Sequence, residues 1–218
     1  MKHLAEFPSL GRGIIVKNNY SIPVEEKGKL SAVVGLIEDP CFDILTRNGK
    51  TTFFAIKPNI SNEQYPKINC VKDVDGEALL FKKIEERFDV LFKISLCPTA
   101  IDFENFYPRD FVNKLKSIPE SKDSSITAWE YYSKYLTSGP MTFGVIYDRY
   151  GHAINKYRDF IGATDPKVAL PGTLRNTLAD LKAFNLVHGS SPDDGNKGIE
   201  NVRKETKWLS GIVSRILQ

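Results

Sequence analysis

The pattern of hydrophobic and polar positions changes near residue 50. Residues 1–50 carry short apolar runs at 13–16 and 31–37, broken by glycine, proline and asparagine, with no helical period. From residue 51 onward, apolar strand-like runs alternate with amphipathic helical segments. We therefore expect a small β-rich N-terminal extension over residues 1–50 and a mixed α/β domain over residues 51–218.

The periodicity of the second part predicts its individual elements. Strands are predicted at 52–56, 90–96, 141–147 and 183–187. Helices are predicted at 76–88, at 152–161, at 199–217 and twice within 102–137, around a polar loop. A glycine- and proline-rich loop is expected at 162–174. This order indicates a sheet covered by helices.

Composition and charge limit the class of partner. The chain has 30 Lys+Arg against 27 Asp+Glu, a net charge of +3, which is too balanced to predict nucleic-acid binding. Its three cysteines are an odd number without metal-ligand spacing, and no apolar signal segment opens the sequence. We therefore expect a soluble, cytoplasmic protein without a membrane helix, because no apolar run approaches about 20 residues.

Polar side chains that follow ordered elements are the first candidates for chemistry. Lys57 follows a strand, Arg175 follows the irregular loop, and His188 follows the last predicted strand. Ligands of α/β sheets commonly bind at strand ends. Taken singly, each residue is more simply a turn histidine or a surface cation. A histidine followed by Gly189 and Ser190 is nevertheless accessible enough for a nucleophile or a base, and the combination of the three favours a site.

Five motifs, in this order, resemble the nucleoside diphosphate kinase family across roughly residues 51–209. They are FAIKPN at 54–59, SGP at 138–140, GATDP at 162–166 four residues after Arg158, PGTLR at 171–175 and NLVHGS at 185–190. His188 follows Arg175 by 13 residues, a spacing that also matches the family. The resemblance implies an α/β (α+β) fold, with a ferredoxin-like four-stranded antiparallel sheet covered by helices as the kinase-like domain over 51–218.

The resemblance also implies a Mg²⁺-dependent ping-pong reaction. His188 would accept the γ-phosphoryl group of ATP or another nucleoside triphosphate and pass it to a nucleoside diphosphate. A neutral imidazole suits this role, because it is both a good nucleophile and a good leaving group near neutral pH. The resemblance implies that the metal arrives with the nucleotide phosphates.

The family's nucleotide-binding residues carry over onto matching positions. Lys57, Arg158 and Arg175 are expected to hold phosphate oxygens, which gather charge during transfer. Thr164 would donate a hydroxyl to a phosphate. Asn185 matches the residue that bonds the sugar hydroxyl, a contact that Lys57 is expected to share.

Further residues match family positions that contact the catalytic histidine and the active-site lysine. Ser190 and Glu205 match the pair that orients the histidine, with Glu200 as the competing register for the carboxylate. Tyr107 matches the tyrosine that contacts the active-site lysine; as an alternative it is a structural aromatic under a helix hairpin.

The sequence departs from the family at the nucleobase. Lys182 stands where the family has an apolar residue against the base, and the partner aromatic is either Trp129 or Phe111. Asn59 replaces a usual aspartate. The family discriminates little among bases. We expect the same here, although Lys182 at the base-binding position weakens this expectation.

Two other functions remain open at this point. One is a nucleotide-binding or scaffolding module without turnover, and the other is a kinase that passes the phosphoryl group to a protein. The resemblance implies a homo-oligomer, a hexamer or a tetramer, and residues 1–50 would cap a subunit interface or bind a partner.

Overall fold

The computed structural model describes residues 15–16, 24–58, 75–120, 124–180, 182, 184–192 and 196–218. Asn59 and much of the predicted β-rich extension lie outside these ranges. No helix of the described ranges is long and apolar enough to cross a bilayer.

A five-stranded sheet forms the centre of the fold. Its strands are β1 (Ile15–Val16), β2 (Thr51–Ile56), β3 (Asp89–Leu96), β4 (Met141–Tyr147) and β5 (Val187–Gly189). Their spatial order is β1-β3-β4-β2-β5, and β1 joins the edge of β3 in parallel. The other four strands pair antiparallel in the ferredoxin-like order, so the predicted sheet is confirmed.

Helices cover this sheet and connect its strands. They are α1 (Val24–Glu38), α2 (Pro40–Arg47), α3 (Gly76–Glu85), α4 (Ala100–Phe106), α5 (Arg109–Lys116), α6 (Ala128–Leu136), α7 (Ala153–Ile161), α8 (Leu174–Leu178) and α9 (Lys197–Leu217). Helices α4 and α6 both begin with a capping box, Thr99 with Asp102 and Thr127 with Glu130. Each box satisfies backbone N–H groups that the first helical turn leaves unpaired.

The core lies on both faces of the central strands. All six residues of β2 are buried, as are Phe143 of β4 and Tyr157 of α7. Continuous burial of β2 explains why residues 53–56 form an unbroken apolar run rather than an alternating pattern. Strand β2 therefore ends in the protein interior, and Lys57 follows it directly.

The predicted β-rich extension is wrong for residues 24–38 and 40–47, which are helical. The apolar run 31–37 lies within α1, where Leu30 and Val33 are fully buried and α1 packs against α9. A short apolar run does not by itself distinguish a strand from a buried helix. Residues 15–16 do form a strand, and the domain boundary at residue 50 remains a prediction.

Two further predictions differ from the structure. The segment 102–137 holds three helices, since α4 and α5 are separate around Tyr107 and Pro108. The last strand begins at Val187 rather than near 183, because Leu186 has φ 69° and interrupts extended backbone. His188 consequently lies inside β5, not after it.

Candidate active site

A cleft opens beside β5 and the end of β2, with a cavity volume of about 960 Å³. Eight of the nine residues expected from the family resemblance line it: Lys57, Tyr107, Arg158, Thr164, Arg175, Asn185, His188 and Glu205. The ninth, Ser190, is fully buried and contacts the cleft residue Glu205. Residues far apart in sequence therefore meet in one place.

His188 is held by two hydrogen-bonded neighbours on different elements. In β5 it pairs with Ala55 of β2, and its Nε2 lies 2.7 Å from Oε1 of Glu205 on α9. The hydroxyl of Ser190 donates to the other carboxylate oxygen. Because a carboxylate accepts, Nε2 carries the hydrogen and Nδ1 keeps its lone pair in the neutral ring. With a quarter of its side chain exposed, the ring can meet a ligand.

Aromatic rings fix the plane of this imidazole. The ring of Phe106 lies 5.2 Å from it and that of Phe53 6.0 Å, both edge-on. Trp208 of α9 contacts Phe106 at 4.7 Å and donates its indole N–H to the carbonyl of Asp102. The histidine is therefore oriented by packing on one side and by hydrogen bonds on the other.

Lys57 is a buried cation at the end of β2. Its side chain donates to Oδ1 of Asn185 at 2.7 Å and to the hydroxyl of Tyr132 at 3.3 Å. Burial lowers the pKa of Lys57, Tyr132 opposes this, and the nearby Arg175 lowers it further. An ammonium in this position is pre-desolvated for an anionic ligand.

Asn185 connects the lysine to the loop that precedes α8. Its Nδ2 donates to the carbonyl of Thr164 at 3.1 Å, while its Oδ1 accepts from Lys57. The next residue, Leu186, has a left-handed backbone and accepts a hydrogen bond from the main-chain N–H of Lys57 at 2.9 Å. Strands β2 and β5 are thereby fixed side by side at the point where the cleft begins.

Arg175 is almost completely buried and donates to three main-chain carbonyls. Nε contacts Asn185, Nη1 contacts Gly162 at 2.8 Å, and Nη2 contacts Val187 at 2.6 Å. Burial lowers the pKa of Arg175, and Arg158 adds to the effect. The guanidinium thus joins the loop after α7 to β5 in addition to facing the cleft.

The loop after α7 depends on a glycine. Gly162 has φ 82°, and a Cβ there would clash with the side chain of Thr173. No other residue type fits both the backbone angle and the space. On the cleft side of this loop Thr164 is exposed, while Arg158 of α7 donates to the carbonyl of Gly189 at 3.4 Å.

Tyr107 reaches Lys57 through another tyrosine, which corrects the expected direct contact. Its hydroxyl lies 2.9 Å from that of Tyr132, and Tyr132 accepts from Lys57. Burial, then Tyr132 and Glu205, raise the pKa of Tyr107 well above its usual value. Tyr132 lies in α6, outside the five motifs of the family resemblance, and it fills the space between the two side chains.

The structure separates the alternatives that the sequence left open. Phe111 lines the cleft and is 41% exposed, whereas Trp129 is 3% exposed and donates to Glu104. Glu205 contacts the histidine, while Glu200 pairs with Arg203 on the outside of α9.

Several cleft residues were not predicted from the sequence. Tyr132 and Phe106 gave no signal, because their positions depend on how α4 and α6 pack. A second group could have been found from helical spacing. It lies on one face of α9, at steps of three and four residues around the predicted Glu205, and comprises Asn201, Lys204 and Trp208. Lys182 is exposed and is absent from the lining of this cleft.

Comparisons with known proteins agree with one another. A family model described as nucleoside diphosphate kinase matches residues 112–206. A nucleoside diphosphate kinase of Nitratiruptor sp. is 35% identical over 104 residues, covering 44% of this chain and 70% of the relative. One of Wolbachia sp. subsp. Brugia malayi is 43% identical over 76 residues, 35% of this chain and 49% of the relative. The chain thus spans about half the length of the latter.

Solved structures show the same fold. A nucleoside diphosphate kinase from Encephalitozoon cuniculi superposes with a TM-score of 0.51 at 23% identity, covering 73% of this chain and 87% of that one. A halophilic nucleoside diphosphate kinase from Halobacterium salinarum, in complex with CDP, superposes with a TM-score of 0.52 at 19% identity, covering 73% of this chain and 86% of that one. At these identities the likeness concerns the fold alone.

Proposed function

The chain belongs to the nucleoside diphosphate kinase family, and from this premise we propose that it transfers the γ-phosphoryl group of nucleoside triphosphates to nucleoside diphosphates through a phosphohistidine at His188. The observation that carries the proposal is the hydrogen bond between Nε2 of His188 and Glu205, in a cleft lined by buried cations.

Each half of the reaction exchanges one bond to phosphorus. The lone pair on Nδ1 of His188 attacks the γ-phosphorus, the bond from phosphorus to the β–γ bridging oxygen breaks, and the nucleoside diphosphate leaves with that electron pair. The ring becomes cationic as the N–P bond forms, and the carboxylate of Glu205 balances the charge at Nε2–H. A terminal oxygen of the second nucleoside diphosphate then attacks phosphorus, and the N–P bond returns its electrons to the ring.

Cations around the ring would stabilise the transferring group. An ammonium has three N–H groups, and Lys57 directs two of them to protein oxygens, which leaves one for a phosphate oxygen. Arg175 directs three of its five N–H groups to carbonyls, which leaves one on each terminal nitrogen. Arg158 and the hydroxyl of Thr164 extend the set toward solvent. Their hydrogen bonds fix Lys57 and Arg175 before the nucleotide arrives, which favours transfer.

Mg²⁺ would enter this cleft with the nucleotide. Among the described residues, no group of three or more His, Cys, Asp or Glu side chains forms a cage, and the buried cations Lys57 and Arg175 line the cleft. This donor set fits a metal that phosphate oxygens and water hold, the usual mode for Mg²⁺. When bound, it neutralises charge on the phosphates.

Phe111 is the better of the two aromatic candidates for the nucleobase, because it is exposed and lies in the cleft. Stacking on such a ring is tolerant of base identity. Asn185, beside Lys57, would face the sugar. Weak discrimination among bases follows from this arrangement.

Assembly and compartment are proposed from the family and from composition. We expect a homo-oligomer, a hexamer or a tetramer, whose mass light scattering would measure. An odd number of cysteines favours the reducing cytoplasm, although one relative, from Spinacia oleracea, is named as chloroplastic. Within the described residues, we find no observation that favours nucleotide binding without turnover.

The test uses ATP labelled at the γ-phosphate, Mg²⁺ and an alkaline quench. The full chain is expected to acquire acid-labile label, to lose it on addition of GDP, and to yield labelled GTP. His188→Ala should lose the label while still binding nucleotide, because the cations remain. His152→Ala is the matched control, since that histidine is exposed at the start of α7. Label that persists in His188→Ala, or its absence from the wild-type chain, contradicts the proposal.

A further inference from the structure

The contact between Lys57 and Tyr132 assigns a role to a residue that the family resemblance does not include. We propose that Tyr132 is a positioning residue, whose hydroxyl holds the ammonium of Lys57 in place for the phosphates, and that Tyr107 acts on the lysine through it. The proposal rests on the proposed function insofar as Lys57 binds phosphate.

The geometry around the ammonium requires two fixed partners. Oδ1 of Asn185 lies 2.7 Å from Nζ of Lys57, and the hydroxyl oxygen of Tyr132 lies 3.3 Å from it. A lysine side chain is long and loses much rotamer freedom when it is held. Two acceptors from separate elements define where the third N–H points, and neither acceptor could do so alone.

Tyr132 is itself held in place. Its hydroxyl lies 2.9 Å from that of Tyr107, and a phenol that accepts from an ammonium still has its own hydrogen to donate. Its ring lies 5.8 Å from the ring of Tyr107 and 6.4 Å from that of Trp129. The contacts form a chain from Tyr107 to Tyr132 to Lys57, in which Tyr132 is the direct partner.

A purely structural role makes a different prediction. If Tyr132 served to fill space between α4 and α6, phenylalanine would replace it without effect on the lysine. The hydroxyl would then be incidental. The ring contact with Nζ of Lys57, 5.5 Å from the centroid, would survive in phenylalanine. The hydroxyl, however, lies 3.3 Å from a buried ammonium, within hydrogen-bond distance, which argues that the polar end matters.

The charge of Lys57 offers a readout that packing alone would not change. The groups that face this ammonium are Tyr132 from α6, Asn185 ahead of β5 and Arg175 from α8, with Tyr107 behind Tyr132. Burial lowers the pKa of Lys57, and Tyr132 is the neighbour that raises it. Removal of the hydroxyl should therefore lower the pKa of Lys57 further.

The experiment compares Tyr132→Phe with Tyr131→Phe in the full chain. Tyr131 is the neighbouring residue of α6, and its ring packs against Phe184 away from the cleft. Two quantities are measured for each variant: kcat and KM for ATP between pH 6 and pH 10.5, and the pH titration of the ¹³Cε resonance of Lys57, assigned with Lys57→Arg.

For Tyr132→Phe we expect kcat/KM to fall about tenfold near neutral pH. The decline of kcat/KM on the alkaline side should also begin at a lower pH than in the wild-type chain. The Lys57 titration should move in the same direction, and Tyr131→Phe should leave both unchanged. Tyr107→Phe should have a smaller effect than Tyr132→Phe.

Two outcomes overturn the proposal. One is a wild-type pH profile and Lys57 titration in Tyr132→Phe. The other is a larger effect of Tyr107→Phe than of Tyr132→Phe, which would make Tyr107 the direct partner. The resonance titration needs no turnover, so it tests the contact even if the wild-type chain transfers no phosphoryl group, which would instead contradict the proposed function.

Discussion

Nε2 of His188 lies 2.7 Å from Oε1 of Glu205, a contact between β5 and α9 across 17 residues of sequence. The other carboxylate oxygen accepts from the hydroxyl of Ser190. Glu205 therefore determines the tautomer of the histidine, and it orients the ring together with the aromatic side chains that pack against it. A carboxylate at this distance also stabilises positive charge on the ring.

Glu205→Gln should lower phosphoryl transfer by tenfold or more, because an amide cannot balance the charge that the ring gains. The figure corresponds to about 1.5 kcal/mol or more, the usual range for a hydrogen bond to a charged group. Single-turnover labelling of His188 measures it. Glu200→Gln is the control, since that carboxylate pairs with Arg203. Equal rates for the two variants would show that the contact has no catalytic effect.

Arg175→Ala should reduce both stability and activity, whereas Arg158→Ala should reduce mainly nucleotide affinity. Loss of Arg175 leaves three main-chain carbonyls without their donor, at a cost of about 1 kcal/mol each. We therefore expect the free energy of unfolding to fall by about 3 kcal/mol. Arg158 makes a longer contact, at 3.4 Å. Urea unfolding together with KM for ATP separates the effects. A wild-type urea midpoint for Arg175→Ala would contradict this account.

Phosphate binding should weaken at a lower pH than it would if Lys57 had the pKa of an ordinary lysine. Burial holds the pKa of Lys57 below its usual 10.5, so the ammonium loses its charge before that pH and KM rises. The effect on stability has the opposite sign. In the unfolded chain Lys57 keeps its proton up to a higher pH than in the folded chain. The free energy of unfolding therefore increases as pH rises from the folded-state pKa toward 10.5, because the folded chain no longer buries a charge. A KM for ATP that stays constant up to pH 10.5 would rule out a lowered pKa.

Phe42→Ala should destabilise the kinase-like domain itself, not a separate unit. Phe42 of α2 is 3% exposed and belongs to the same buried cluster as Phe53 of the central sheet. Large-to-small changes of this kind cost about 3 kcal/mol or more. Thermal unfolding should remain a single transition at lower temperature. Ile44→Ala is the control on the same helix, because Ile44 is 56% exposed. Two resolved transitions would indicate an independent extension.

Sequence pattern predicted the four antiparallel strands of the sheet but not all of the helices. The strand predicted at 141–147 and the helix predicted at 199–217 agree closely with β4 and α9. Their periods are long and regular, so local pattern is sufficient. The run at 31–37 has the composition of a strand but lies in α1, because β-branched residues are common to strands and buried helices and only the packing against α9 distinguishes the two.

The site was predictable where motifs are local, and less so where contacts cross elements. His188 and Ser190 lie two positions apart, so one motif contains both. Tyr132 comes between Lys57 and Tyr107 because α6 packs beside α4, a relationship that no spacing in the chain encodes. The shift of the last strand has a similar origin, since it depends on the left-handed backbone of Leu186.

Strand β5 borders the sheet and is three residues long. An edge of this kind usually exposes carbonyls that can recruit another polypeptide strand and lead to aggregation. Here Arg175 donates to the carbonyl of Val187, and Arg158 donates to that of Gly189. Bulky guanidinium groups thus occupy the positions that an invading strand would need, and the margin of the sheet is protected by the same side chains that face the cleft.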